Sequence, residues 1–201
     1  MLNCVSTSSG KLLAWADYLA DFRREFERGG DVFAKFERRQ TFREPGDASW
    51  EAFAAGDWQT ALERNEEDRP EAEAMVARYT HYGYQPQRIR VVEFPISPYL
   101  QWEMQFFRLL AEAGQDLRVV RAEQVADLEQ VAPLPEVVLL GDRVLYEVNY
   151  DATGTVTGGR RIEDPEVIAG CRTQLAELFE QGEPLPTFFE KHVAPLPPPA
   201  V

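Results

Sequence analysis

Residues that usually carry nucleophilic, redox or metal chemistry are scarce in this chain. Its 201 residues include two cysteines, two histidines and three lysines. Cys4 and Cys171 stand too far apart in sequence for a CxxC pair or a zinc-type spacing, and such sparing cysteine use suits a reduced, cytoplasmic setting. A histidine triad or a histidine-rich metal site would have to be built from His81 and His192 alone. The chain carries no GxGxxG, GxxxxGK(S/T), GxSxG or HExxH, so no cofactor and no metal is expected. No run approaches the ~20 apolar residues of a membrane span. The opening MLNCVSTSSGK has neither a basic segment nor the long apolar run of a secretory signal.

What is present is ordinary globular material with a skewed charge. Apolar residues make up 44%, charged residues 27% and aromatics 11%, enough for a sizeable core. The net charge of −13 gives no overall field for gripping a phosphate backbone or an anionic membrane, so neither direct nucleic-acid binding nor membrane binding is expected. The excess is concentrated. Residues 44–74 hold ten acidic side chains against Arg64 and Arg69, a net −8, while residues 1–43 are +2 and residues 75–201 are −7. A solvated helical face explains such a segment, and so does an acidic surface that docks a basic partner.

Periodicity divides the chain. From Lys11 to Arg28 the residues Leu12, Leu13, Ala16, Leu19, Phe22 and Phe26 recur three or four apart, which predicts one amphipathic helix closed by Gly29-Gly30. Val32 to Phe36 fits helix or strand equally. Short helices follow near Ser49, from Trp58 and from Pro70, so residues 1–84 read as a helical region packed on the core. Residues 85–182 read as an α/β domain. Arg88–Phe94 alternates as a strand, Tyr99–Ala113 is a helix closed by Gly114, and Asp116–Val120 is a second strand, which together predict a βαβ unit. A short helix spans Ala122–Gln130. Strands at Glu136–Leu140, Arg143–Tyr150 and Thr155–Ile162 follow, the last two forming a hairpin, and Asp164-Pro165 starts a final helix with Cys171 on its buried side. Residues 183–201 are proline-rich and read as a disordered tail or a ligand for a polyproline-binding groove. The fold class is thus α/β (α+β), a mixed sheet with a βαβ unit and a C-terminal hairpin.

Candidate site residues follow from the faces of these elements. Arg88 and Arg90, two apart, share a strand face; Tyr99 and Glu103, four apart, share one side of the next helix. Asp116 and Arg118 share a face of the second strand, and Glu147 and Asn149 share a face of a later one. If the strands are neighbours, these groups gather at one sheet edge, where α/β folds place ligand sites. Arg88, Arg90, Tyr99, Arg118 and Asn149 would then bind a small anionic or amide-bearing molecule, with Glu103, Asp116 and Glu147 the candidate acids or bases. The alternative for each is a solvent-facing strand residue or half of a structural ion pair. The cluster Tyr79-Thr80-His81-Tyr82-Gly83-Tyr84 suits a binding surface and a packing seam equally well.

From Phe33 onward the chain resembles an actinobacterial domain family of unknown function, encoded beside or fused to helix-turn-helix regulators. The resemblance rests on Trp50–Gly56, Arg88–Glu103, Ala113–Arg118, Gly141–Val144 running on to Tyr150–Gly154, and Gly158–Pro165, in order, across roughly 150 of the 201 residues. It departs at Val137–Asp142, where the family has a more aromatic strand, and at Asn149, where a histidine is common; the helix from Lys11 is extra. The order of elements is also similar to half of a phospholipase-D-like fold. Pro135 and Val137 stand where the histidine and lysine of its catalytic motif would be, which excludes that phosphodiester chemistry. The family has no agreed activity, and the resemblance implies only regulation or specialised metabolism; the expectation for this chain is a cytoplasmic accessory or regulatory protein without catalysis. Its expected partners are a small anionic ligand, a helix-turn-helix regulator or other basic protein, or a second copy in a homodimer. The alternative is a cofactor-independent enzyme of a natural-product pathway, with carboxylate acid/base groups and arginines that hold an anion.

Overall fold

The segment left open between helix and strand is the centre of the sheet: β2 (Val32–Glu37) pairs on both sides. The structure, a computed structural model, describes residues 2–200. A 3-10 turn (Leu2–Thr7) precedes β1 (Lys11–Ala14) and α1 (Trp15–Glu27). After β2 come α2 (Ala48–Ala54), α3 (Trp58–Glu67) and α4 (Arg69–His81). The βαβ unit is β3 (Gln85–Val92), α5 (Pro98–Glu112) and β4 (Asp116–Arg121). Then follow α6 (Ala122–Val125), β5 (Val137–Leu140), the hairpin β6 (Val144–Tyr150) and β7 (Val156–Ile162), α7 (Pro165–Gln181), β8 (Glu183–Pro184) and α8 (Leu185–Phe188). The eight strands form one mixed sheet in the order β1-β7-β6-β5-β2-β3-β4-β8, with β2, β3 and β4 parallel.

Local chemistry sets the helix ends. The Ser97 hydroxyl accepts from the Leu100 amide and Pro98 opens α5, while Asp164 accepts from the amides of Glu166 and Val167 ahead of Pro165 at the start of α7. Asp47 and Asp57 cap α2 and α3 in the same way. Alternation then sends the two sets of strand side chains to opposite faces. Ala34, Phe36, Ile89, Val91, Val120, Val137, Leu139 and Leu145 pack under α7 and the 3-10 turn. On the other face α4, α5 and α8 cover β3 and β4 through Val76, Leu100, Met104, Leu110 and Phe188, while α1 covers β5 and β6 through Tyr18 and Phe26. Each of the fully buried leucines contributes about 1.5–3 kcal/mol by leaving water. Between the two helical groups the second half of β2 lines a cleft.

Four expectations need correction. Lys11–Ala14 is a strand, so the helix begins only at Trp15. The apolar spacing continues through it, but β1 is held by pairing with β7 opposite Gly158 and Gly159, where no side chain obstructs its backbone. The helical reading of residues 1–84 is incomplete for the same reason: β1 and β2 belong to the sheet, and the expected boundary at 84/85 runs through its parallel pair. Residues 183–201 are not simply a tail. β8 pairs with β4, Leu185, Phe188, Phe189 and Val193 are buried, and the Pro197 carbonyl accepts from Gln101 Nε2 at 2.8 Å. Val201, the last residue of that segment, lies outside the described residues. The helix expected over Ala122–Gln130 is also shorter, α6 giving way to a 3-10 turn at Ala126–Leu128.

Candidate functional site

The second half of β2 forms the floor of this cleft. Because side chains alternate, Phe33, Lys35 and Glu37 point from β2 to the same face as Arg88 and Arg90 of β3, and the parallel register sets Lys35 beside Arg88 and Glu37 beside Arg90. Lys35 Nζ lies 2.6 Å from Glu37 Oε1, and Arg88 Nε lies 3.5 Å from Glu37 Oε2. Arg88 also stacks over the Phe107 ring. Two lobes open from this floor. An aromatic lobe of about 300 Å³ is walled by Trp15, Tyr18 and Phe22 of α1, Tyr79 of α4, Phe42 after β2, and Val148 and Tyr150 of β6. An acidic lobe of about 280 Å³ is walled by Asn65 and Asp68, by Glu71 and Met75 of α4, and by Tyr99, Trp102 and Glu103 of α5. Lys35, Glu37, Glu44 and Arg88 line both.

The floor is electrostatically crowded. Arg90 is fully buried; its Nε donates to Glu103 Oε2 at 2.7 Å and its Nη1 donates to the Glu37 and Arg39 carbonyls. Burial pushes the Glu37 carboxyl up, but the charges of Arg88, Lys35 and Arg90 outweigh it and hold Glu37 below the ordinary range. For Glu103 burial wins over Arg90, helped by the charge of Glu37, and its carboxyl is raised. Glu44 is raised by burial against the pull of Lys35. The Tyr99 hydroxyl stands 3.1 Å from Glu103 Oε1 and 3.2 Å from Glu44 Oε1. One hydroxyl proton is thus shared between two carboxyls that burial has raised. Behind the floor, Glu136 accepts from the Arg38 and Arg39 amides, and burial raises it to about 7. Lys35 and Arg88 therefore share the Glu37 carboxylate, and Arg90 faces Glu103.

Half of the sequence-derived site residues meet here. Arg88, Arg90, Tyr99 and Glu103 converge as the shared faces predict. Asp116, Arg118, Glu147 and Asn149 do not. The register of β4 sets Arg118 beside Ile89, so Arg118 and Asp116 face α7, where they pair with each other and Arg118 covers the Phe179 ring. Glu147 shares the Leu145 face of β6, away from the cleft, and bonds Arg160 and Ser6. Asn149 lies on that same side of the strand, and its backbone carbonyl accepts from Thr157. The tyrosine cluster is a packing seam: Tyr79 and Tyr84 are buried against Phe26 and Phe33. Sequence reasoning missed Lys35, Glu37, Glu44, Asn65 and Tyr150. The one available signal for the first two was alternating charge within a β-prone run, Val32–Glu37.

Among the described residues no group of three or more His, Cys, Asp or Glu side chains is arranged to hold a metal ion, and no helix is long and apolar enough to cross a membrane. A family model, described as Domain of unknown function (DUF6879), matches residues 20–190, which contain both lobes apart from Trp15 and Tyr18. No curated protein matches the chain.

Proposed function

This chain belongs to the family described as Domain of unknown function (DUF6879), and we propose that it is a non-catalytic accessory protein that binds a small amphipathic molecule in the cleft over β2. The observation that carries this reading is the juxtaposition of a charged floor, half-buried Lys35 with buried Glu37 and Arg88, and an aromatic wall from four separate parts of the chain. Buried charges are costly in a purely structural core, and convergent polar groups beside an apolar wall are the usual make-up of a ligand site. Because Glu44, Asp68, Glu71 and Glu103 wall the same cleft, the arrangement favours a ligand other than a simple anion. The resemblance to domains beside helix-turn-helix regulators supports regulatory use of this binding in a cytoplasmic actinobacterial circuit. The acidic surface of α2–α4 would then face a basic partner.

A thermal-shift screen with amines, amino acids, nucleotides and sugar phosphates tests the reading. A compound at 100 times its Kd adds about 2.7 kcal/mol of stability, a shift on the order of 5–10 °C for a domain of this size. Val148→Trp, which fills the aromatic lobe, should abolish the shift while still melting cooperatively. No stabilising compound, or a shift that survives Val148→Trp, would contradict it.

One observation favours the second reading, an acid/base enzyme of a natural-product pathway: the Tyr99 hydroxyl sits between two carboxyls at the cleft wall. Under that reading Tyr99→Phe would leave ligand affinity intact and stop turnover of the bound compound.

A further inference from the structure

Resting on the cleft reading above, we infer that the acidic lobe takes the ammonium or guanidinium head of an amine whose flat apolar body lies in the aromatic lobe. The charge balance is lopsided between the lobes. The acidic one presents Glu44, Asp47, Asp68, Glu71 and Glu103. Its two cations, Lys35 and Arg88, share Glu37, and Glu103 is paired with Arg90, so Glu44, Asp47, Asp68 and Glu71 leave the lobe with an excess of negative charge. Among the described residues no basic side chain pairs with Glu44, Asp47, Asp68 or Glu71, although nearby Arg64 pairs with Glu67. Asp47, Asp68 and Glu71 continue outward into a vestibule of about 450 Å³ that the Arg64–Glu67 pair also lines, and its net negative charge would concentrate cations at the entrance.

A second observation, independent of the acidic residues, points to a bound molecule. Asn65 is 3% exposed and lines the acidic lobe, yet its Nδ2 has no hydrogen-bond partner. A buried amide donor is normally satisfied. A bound molecule with an acceptor atom beside its charged head would satisfy it; the ammonium itself, a donor only, does not, so tyramine tests the charge alone. Crowding agrees with the charge argument: burial and then the neighbouring carboxylates Asp47, Glu71 and Glu67 push the Asp68 carboxyl up. A cation between these groups relieves that repulsion; a neutral head leaves it in place, and an anion adds to it. On the other side of the Lys35-Glu37 floor, the rings of Trp15, Tyr18, Phe22 and Tyr150 suit a planar body and also attract a nearby cation.

Three probes that share one ring and differ only in the head group test the inference: tyramine, the neutral tyrosol and the anionic 4-hydroxyphenylacetate. Each is titrated into the full chain by calorimetry and amide chemical-shift mapping. Tyramine is expected to bind at least tenfold more tightly than tyrosol, with the carboxylate weakest. Glu44→Gln/Asp68→Asn should weaken tyramine at least fivefold and leave tyrosol unchanged, with the circular dichroism spectrum preserved. Equal or tighter binding of the carboxylate would overturn the inference, as would no tyramine binding at millimolar concentration. If tyrosol or the carboxylate perturbs the cleft while tyramine does not, the amine assignment falls and the cleft reading stands. Silence of all three together with a silent library screen overturns both.

Discussion

Arg90 and Glu103 form a buried ion pair beneath the cleft: Arg90 Nε lies 2.7 Å from Glu103 Oε2, with side chains 1% and 8% exposed. Removing one partner leaves an uncompensated charge out of water, which costs about 3–5 kcal/mol, whereas an apolar replacement of both is often tolerated. Arg90→Met is therefore expected to lose stability in that range, and Arg90→Met/Glu103→Leu to lose less than the sum of the single changes. Urea denaturation of the three variants measures this. Single changes costing under about 1 kcal/mol would mean that the pair is solvated.

Glu136 gives stability a pH dependence. Its folded-state value of about 7 lies above the ~4.3 of an ordinary glutamate, because burial outweighs Arg90 and the Arg38 and Arg39 amides. The folded chain thus keeps a proton on Glu136 between those values while the unfolded chain has lost it. The stability linked to that proton is fully present below about pH 4.3 and is lost as pH rises through about 7. The substitution Glu136→Gln removes the titrating proton and retains an acceptor oxygen for the two amides. The unfolding free energy of the native chain minus that of Glu136→Gln should fall with rising pH, by up to about 3 kcal/mol between pH 5 and 8. A flat difference would contradict the assignment.

Gly158 fixes the edge strand that carries α1. Its φ is +147°, and a Cβ there would stand 2.1 Å from the Leu13 carbonyl oxygen. Gly158→Ala must break the β1–β7 pairing or strain the backbone, at about 2 kcal/mol or more. Hydrogen exchange should show Leu12–Ala14 amides losing protection before the rest of the sheet. Stability within about 0.5 kcal/mol of the native chain would contradict this account.

Tyr146 ties α1 to the sheet from beneath. Its hydroxyl donates to Asp21 Oδ2 at 2.6 Å, and Arg161 Nη1 donates to the same oxygen at 2.6 Å. Tyr146→Phe removes a bond to a charged group and is expected to cost about 1.5–3 kcal/mol. Because α1 supplies Trp15, Tyr18 and Phe22, the variant should also weaken any cleft ligand. Chemical denaturation together with the ligand-induced thermal shift reads both effects; unchanged affinity would separate α1 from the site.

The local elements were legible where the signal is local. Pro70 and Asp164-Pro165 gave helix starts, Gly114 gave a helix end, and alternation from Arg88 gave a strand with Arg88 and Arg90 on one face. What sequence spacing does not encode is register between strands. Arg118 follows Asp116 by the same two residues that separate Arg90 from Arg88, but a one-residue difference in pairing puts it on the opposite face. The same limit hid β2. Lys35 and Glu37 alternate with apolar residues as solvent-facing positions would, and only the long-range pairing with β3 and β5 makes them the floor of a cleft. The docked end of the chain was unreadable for a related reason, since the prolines after Val193 mask Leu185, Phe188 and Phe189, which find their partners on α5.

The central claim is that the cleft over β2 is the ligand site. Amide and indole chemical-shift mapping of the full chain, with the compound that stabilises it most in the thermal screen, tests this most directly. The account predicts perturbations at Phe33–Glu37, Arg88, Tyr150 and the Trp15 indole, from the floor and both lobes. Perturbations confined to the smaller groove of about 180 Å³ between α5 and α8, at Arg108, Leu185 and Phe189, or to the α7 face, would contradict it.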